Sequence, residues 1–325
     1  MKIGVVGVRG AVGREIVRTL EESDAKLEDV RLFGSADKPA GAPVEFRGAE
    51  VRVLPVSPSG FSGLDLVIFG PGAKAARELA GAARRAVDCS KAHRLGSDVP
   101  LVIDAVNGAA AAGMSLVAVP GAMTITLATT LAPLHRAAGL RRVTATLFEA
   151  ASGVGTRGAD ELAAQSAQLL SGRDVRIKRF EHRLAFNLIP QVGALSASGD
   201  SEEETAVAAE LERVLGAPDF TLAATAVRVP IMFGYAASLL VETVKPLDAD
   251  AARELFRRAP GVQLLDDPAE KIYPMPLLAT GNDAALVGRV RAAPGGGLLL
   301  FAAQDNIRAV AVNAVAVAMR LARGL

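Results

Sequence analysis

Cysteine, aromatic residues and long apolar runs are all scarce in this 325-residue sequence. Cys89 is the only cysteine, so no intramolecular disulfide can form and a disulfide-stapled secreted fold is excluded. Trp is absent and aromatic residues make up 4%, so we expect a core of Ala, Val and Leu. No uncharged apolar run reaches the roughly 20 residues that a membrane-spanning helix needs. We therefore expect a protein that does not enter a membrane.

The net charge is only +1, since the sequence has 36 lysines and arginines and 35 acidic residues. This balance provides no basic field for a nucleic acid or an anionic membrane surface and favours a small-molecule partner. The opening segment MKIGVVGVRG lacks the long apolar stretch and cleavage site of a signal peptide, so we expect a cytoplasmic protein. Three scattered histidines and one cysteine lack zinc-site spacing, and no metal is expected. We interpret His135 and His182 as structural or surface residues.

The first part of the chain alternates short apolar runs with helical segments. Residues 2–6 read as a buried strand, and residues 11–22 as a helix with inward-facing apolar positions. Further strand-like runs extend to residue 119, among them PLVID at 100–104. This rhythm predicts an α/β fold with a doubly wound, mostly parallel, Rossmann-like sheet. We assign residues 1–119 to this domain.

After Pro120 the strands become longer and the crossover helices fewer, which predicts a second α+β domain with a mixed sheet. We assign residues 120–304 to this domain, whose role in substrate binding and dimerisation is implied only by the family resemblance described below. PGGG at 294–297 is typical of a hairpin turn. The final helix, 305–325, is expected to pack back on the first domain.

A glycine-rich turn joins the first predicted strand to the first helix. Gly7, Gly10 and Gly13 would let the backbone approach a pyrophosphate, whose charge the helix N-terminus favours. Arg9, Ala11 and Val12 complete this candidate cofactor-binding segment. The alternative is that the glycines only allow close packing of helix on strand.

The second predicted strand ends in a loop that carries both signs of charge. An acidic residue there suits the ribose hydroxyls of NAD, and a cation suits the 2′-phosphate of NADP. Ser35 and Lys38 favour NADP, whereas Asp37 favours NAD. We predict NADP, with an ordinary solvated loop as the alternative.

Eight sequence blocks, in order, resemble the aspartate-semialdehyde dehydrogenase family. The blocks are KIGVVGxxGAVGREIVRTLEE (2–22), DxSxxxR (88–94), DVPLV (98–102), SGVG (152–155), AFNLIPQVG (185–193), VRVP (227–230), VGRVR (287–291) and DNIR (305–308). The resemblance implies a homodimer that interconverts aspartyl phosphate and aspartate semialdehyde with NADP in amino-acid biosynthesis. It also implies a cysteine thiolate that attacks the acyl phosphate and a histidine that moves protons.

Three positions at the reacting centre depart from the family. Ala122 stands at the cysteine position, Glu149 at the glutamine position and Tyr235 at the histidine position. A methyl group cannot form a thioester, and a tyrosine with an ordinary pKa of about 10 is a poor base near neutrality. The sequence therefore predicts a member that is silent in the family reaction, similar to the Usg-type paralogues.

The resemblance also assigns ligand contacts. Arg94 matches the family arginine for phosphate and Arg228 the one for the substrate carboxylate, so a small carboxylate or phosphate ligand is expected. The lysine of the phosphate site corresponds to Ala206. Glu149 could pair with Arg228 and close the site as an internal substrate mimic, or it could point to solvent.

The nicotinamide side of the site is only partly preserved. Ser152, Gly153 and Asn306 match cofactor contacts of the family. Val310 replaces a family glycine and adds bulk where the nicotinamide would lie. We therefore expect the chain to bind NADP(H) more weakly than the family does.

Two alternatives concern a different chemistry. Cys89 could act as a relocated nucleophile if Lys91, His93 and Arg94 lowered its pKa, or it could simply fill a turn. Tyr235 could donate a proton in a non-covalent oxidoreductase acting on another small carbonyl compound. A third alternative is a regulatory or assembly partner of an active paralogue.

Overall fold

The computed structural model describes residues 1–35, 41–217 and 219–323. The chain divides into two compact units. The first unit comprises Met1–Gly121 and Val310–Leu325, and the second comprises Ala122–Ala309. Among the described residues, no helix is both long enough and apolar enough to cross a membrane.

The first unit contains a parallel sheet with one antiparallel edge strand. Its elements are β1 (Lys2–Val6), α1 (Ala11–Glu22), β2 (Asp29–Gly34), β3 (Gly41–Phe46), β4 (Ala49–Pro55), β5 (Leu66–Phe69), α2 (Ala73–Leu79), β6 (Ala86–Asp88), α3 (Asp104–Asn107) and β7 (Leu116–Ala118). The strand order is β3-β4-β2-β1-β5-β6-β7, and only β3 runs antiparallel to its neighbour. Buried apolar runs such as β5 suit a parallel sheet that is covered on both faces. The predicted doubly wound sheet is confirmed.

The strand predicted at 100–104 is wrong. Leu101 forms only an isolated bridge to Ala118, and Asp104 begins α3. The Asn107 side chain explains the difference, since its Oδ1 accepts from Ile103 N at 2.8 Å and its Nδ2 donates to Leu101 O at 2.9 Å. These side-chain bonds satisfy backbone groups that a strand would have paired.

The second unit contains a mixed sheet with helices. Its elements are α4 (Ala122–Ala138), β8 (Leu140–Glu149), α5 (Thr156–Leu170), α6 (Glu202–Leu215), β9 (Thr221–Arg228), β10 (Tyr235–Thr243), α7 (Ala249–Arg258), β11 (Val262–Leu264), α8 (Pro276–Ala279), β12 (Ala285–Ala292) and β13 (Leu298–Gln304). The strand order is β11-β12-β13-β10-β8-β9. β8 pairs parallel with β9 and antiparallel with β10. The predicted mixed sheet is confirmed, and the 294–297 turn joins the antiparallel strands β12 and β13 as expected.

The last helix, α9 (Arg308–Arg323), begins at the end of the second unit and continues into the first. In the first unit, Asn313 accepts from Asp104 N at 2.8 Å and donates to Val102 O at 2.9 Å. Arg320 adds an ion pair to the Asp104 side chain at 2.6 Å. These contacts fix the later turns of α9 against the loop that precedes α3.

Candidate functional site

A buried ion pair lies where two neighbouring strands of the second unit end. Glu149 is the last residue of β8, Arg228 is the last residue of β9, and the two face each other in the parallel register. Glu149 Oε2 lies 2.9 Å from Arg228 Nη1, and the two side chains are only 2% and 7% exposed. The predicted pairing is confirmed, and the alternative in which Glu149 points to solvent is wrong.

Tyr235 joins this pair from the third adjacent strand. It is the buried first residue of β10, and its hydroxyl and Arg228 Nη1 both approach Gly153. A Cβ at Gly153 would lie 2.3 Å from both the Tyr235 hydroxyl and Arg228 Nη1. A larger residue at position 153 would therefore displace the end of the Tyr235 or the Arg228 side chain. We call Glu149, Arg228 and Tyr235, with Gly153 against them, the strand-end cluster.

The charged groups of the strand-end cluster are buried. Burial raises the pKa of Tyr235 well above its ordinary value, and the Glu149 carboxylate raises it further. For Arg228, burial favours the neutral form, but Glu149 and Tyr235 outweigh it and the pKa is raised. Tyr235 therefore stays protonated and neutral, and it is both a weak acid and an unavailable base.

The ion pair uses one contact rather than a two-point fork. Arg228 Nη1 donates to Glu149 Oε2 and also to Ala150 O, each at 2.9 Å. Glu149 Oε1 is buried and has no hydrogen-bond partner among the described residues. An unpaired carboxylate oxygen in a dry site costs free energy, so the geometry is less favourable than a bidentate arginine–carboxylate pair.

Two of the three proposed nicotinamide contacts bond to each other. Asn306 Oδ1 accepts from Ser152 Oγ at 3.2 Å and from Gly234 N at 3.0 Å. Both acceptor positions of that oxygen are occupied within the protein, so a ligand contact of Asn306 would have to use Nδ2. Val310, whose bulk was predicted to crowd the nicotinamide, is buried in α9.

Two further substituted positions carry no reactive group. Ala122 is the first residue of α4, and its carbonyl accepts a hydrogen bond from Thr126 Oγ1 at 3.0 Å. Its half-buried methyl group stands at the helix N-terminus, where a thiolate would be stabilised by the helix dipole. Ala206 lies half-buried in α6 and provides no cation.

Cys89 and Arg94 lie in one loop of the first unit. Cys89 is 1% exposed, and burial and the neighbouring Asp88 raise its pKa, which Arg94 only partly offsets. His93 Nδ1 lies 2.7 Å from Asp88 Oδ2, and Arg94 Nη2 donates to Cys89 O at 3.2 Å. The suggested lowering of the thiol pKa is wrong, and the interpretation of Cys89 as a residue that fills a turn is confirmed.

The glycine-rich turn lines a cleft of about 550 Å³ in the first unit. Gly7 has a φ of +86°, which favours glycine. A Cβ at Gly13 would lie 2.1 Å from Gly7 O, so Gly13 permits close packing of α1 on the turn. A Cβ at Gly10 would make only an ordinary contact at 3.5 Å. Packing therefore accounts for Gly13 but leaves Gly10, which is exposed in the cleft, for approach to a ligand.

The cleft presents several groups suited to an anion. Ala11 and Val12 open α1, and the preceding residue Gly10 provides no side-chain cap for the N–H groups of this first turn, which could therefore bind an anion. Arg9 and Ser35 line the cleft beside the end of β2. Lys38, the other proposed contact, lies outside the described residues.

The histidines provide no second reactive centre. His135 Nδ1 accepts from Leu140 N at 3.2 Å, and His182 is exposed, so their interpretation as structural and surface residues is confirmed. In the part of the chain that the structure describes, no group of three or more His, Cys, Asp or Glu residues could hold a metal ion.

The two units match known protein families along most of the chain. A family described as "Semialdehyde dehydrogenase, NAD binding domain" matches residues 2–114, and "Semialdehyde dehydrogenase, dimerisation domain" matches residues 131–309. The aspartate-semialdehyde dehydrogenase of Aquifex aeolicus is 31% identical, covering 99% of this chain and 98% of its own. That of Prochlorococcus marinus is 34% identical, covering 98% and 95%. A crystal structure of aspartate semialdehyde dehydrogenase II from Vibrio cholerae, complexed with ASA, superposes with a TM-score of 0.94 at 31% identity, covering 99% and 98%.

Proposed function

Because the chain belongs to the aspartate-semialdehyde dehydrogenase family, we propose that it is a catalytically silent member that retains a dinucleotide site. The strand-end cluster carries this proposal. Glu149, which replaces the family glutamine, pairs with Arg228, and Tyr235, which replaces the family histidine, lies beside them in a buried site. The carboxylate-binding arginine is thereby engaged inside the protein.

The lack of a thiol at position 122 prevents the covalent step of the family reaction independently of the strand-end cluster. Ala122 has no lone pair to attack an acyl phosphate, and removing a covalent nucleophile in a concerted site lowers the rate by roughly 10⁴ to 10⁶. Tyr235 cannot replace the missing base because its pKa is raised by burial. The same burial argues against Tyr235 as the proton donor of a non-covalent oxidoreductase.

We propose that the dinucleotide is NADP(H), bound more weakly than in the active family. Arg9 and Ser35 in the cleft, together with Lys38, supply a cation and a hydroxyl for a 2′-phosphate. Arg94 is the remaining candidate for a phosphate or small carboxylate ligand. The match of residues 131–309 to a dimerisation domain supports a homodimer, and association with an active paralogue is the second candidate function.

An assay of three proteins tests whether the chain is catalytically inactive in the family reaction. The wild type, Ala122→Cys/Tyr235→His, and the same double variant with Glu149→Gln are each given aspartate semialdehyde, NADP and phosphate. We expect no turnover above blank in the wild type, and turnover in the triple variant that exceeds that of the double. Turnover in the wild type at the level of the triple variant would refute the proposal.

Cofactor retention has its own measurement. Calorimetry of the wild type with NADPH and with NADH should give binding to both, with the tighter constant for NADPH. Absence of heat and of any thermal shift at millimolar NADPH would remove the dinucleotide part of the proposal. Mass measurement of the purified chain, alone and with an active paralogue, separates a homodimer from a mixed assembly.

A further inference from the structure

Arg228 is a buried cation whose closest counter-charge comes from the chain itself. We propose that Glu149 is an intramolecular ligand whose carboxylate occupies the carboxylate-binding position on Arg228 and keeps small carboxylates out. This inference rests on the proposed function and deepens it. Under the proposed function the missing thiol prevents the covalent step, whereas Glu149 prevents binding of the small carboxylate.

The strand register places the two groups in contact without any loop movement. Glu149 and Arg228 face each other in the parallel β8–β9 ladder, so their side chains leave the same face of neighbouring strands. The backbone of Arg228 is also fixed, since it exchanges hydrogen bonds with Ile189 at 2.8 and 3.0 Å. An internal carboxylate held this way avoids the translational and rotational entropy that an external one must lose on binding.

The charge balance of the site depends on Glu149. Tyr235, whose hydroxyl approaches Gly153 beside Arg228, is neutral. Glu203 also acts on Arg228, but its influence ranks below those of Glu149 and Tyr235. Removing the Glu149 carboxylate would therefore leave a desolvated guanidinium without its main counter-charge.

Truncation of Glu149 to alanine removes a fragment that corresponds to acetate. Glu149→Ala deletes the terminal CH₂–COO⁻ group and opens a space of that shape beside Arg228 Nη1. Acetate supplies the same charge and nearly the same volume, whereas acetamide supplies the volume without the charge. The pair of small molecules separates ion pairing from simple filling of a cavity.

Thermal unfolding of the full-length protein in rising acetate tests the inference. Wild type should show no stabilisation by acetate beyond that given by equal NaCl. Glu149→Ala should have a lower Tm that acetate raises, by roughly 3 to 6 °C at about 100 mM if the Kd is about 10 mM. Acetamide should not raise it. The double variant Glu149→Ala/Arg228→Met should lose the acetate response because the cation is gone.

Glu149→Ser provides a second variant if the alanine protein does not fold. It keeps a polar side chain at the position but removes the carboxylate and leaves space for acetate beside Arg228, so acetate should stabilise it over NaCl. Equal acetate stabilisation of wild type and variants, or no stabilisation of either variant, would overturn the inference. These thermal-unfolding results test only whether Glu149 excludes small carboxylates. The proposal that the chain is catalytically silent is tested separately, by turnover of the wild type.

Discussion

Replacing either member of the Glu149–Arg228 pair by methionine should cost much more stability than replacing both. Methionine is unbranched and fills irregular space, so it suits both positions. Glu149→Met leaves a buried guanidinium without its nearest anion, and Arg228→Met leaves a buried carboxylate without its only hydrogen-bond donor in the described residues. The double variant leaves no charge at either position.

The expected magnitude follows from the burial of the pair. With side chains 2% and 7% exposed and a contact of 2.9 Å, each single change breaks a desolvated ion pair. Breaking such a pair from one side costs about 3–5 kcal/mol, whereas replacing both partners with apolar residues is often neutral or stabilising. The single Nη1–Oε2 contact, in place of a bidentate fork, places this pair among those that a hydrophobic replacement can equal.

Thermal unfolding of the wild type, the two single variants and the double variant measures the effect. For a unit of this size about 1 kcal/mol corresponds to roughly 2–4 °C, so each single variant should lose roughly 6–20 °C. The double variant should lie above both. Single variants within about 2 °C of wild type, or a double variant lower than either single, would refute the assignment of a dry, strongly coupled pair.

Two further predictions follow from pKa shifts. The chain contains two tyrosines and no tryptophan, so subtracting the tyrosinate absorbance of Tyr235→Phe from that of wild type isolates Tyr235. Burial raises the pKa of Tyr235 in the folded state, so this absorbance difference should stay flat through pH 10. The stability that neutral Tyr235 contributes should fall only as the pH rises above about 10, the pKa of tyrosine in the unfolded chain. A difference that titrates at or below pH 10 would contradict the burial of Tyr235. Cys89, with a thiol pKa raised by burial and by Asp88, should resist a disulfide reagent at neutral pH until the protein is unfolded in urea. Rapid labelling of the folded protein would reopen the question of its reactivity.

Sequence patterns indicate the ends of an element most clearly where capping side chains or a glycine next to it in the sequence fix those ends. Helix α6 (Glu202–Leu215) has these bounds because Ser201 and Glu204 form a capping box and Gly216 adopts a left-handed conformation, which are both signals that a sequence shows. The strand predicted at 100–104 is wrong because a side chain outside the segment decides its structure. Its apolar residues are typical of a strand, but Asn107 satisfies the backbone groups that a strand would have used.

The site was only partly predictable because it depends on strand order. The family resemblance identified Glu149 and Arg228 as partners, and the register of β8 with β9 confirms the contact. Tyr235 was predicted as a lost base or, in the alternative, as a proton donor, and not as a neighbour of Arg228. Its place beside Arg228 requires β10 to lie beside β8, an arrangement that is not encoded by spacing along the chain. The close fit of Gly153 depends on the same arrangement.

The replacements in the second unit act together rather than as separate losses. Arg228 is buried, and a buried guanidinium without an anion is costly whether or not the protein binds a ligand. A chain that no longer binds a substrate carboxylate must either lose that arginine or supply an internal anion, and this chain has Glu149 in contact with it. Tyr235 then lies beside the guanidinium as a neutral group. If the chain is silent as proposed, restoring a thiol and an imidazole at 122 and 235 leaves Arg228 still paired with Glu149, and we expect greater recovery of the family reaction when the carboxylate at 149 is removed as well.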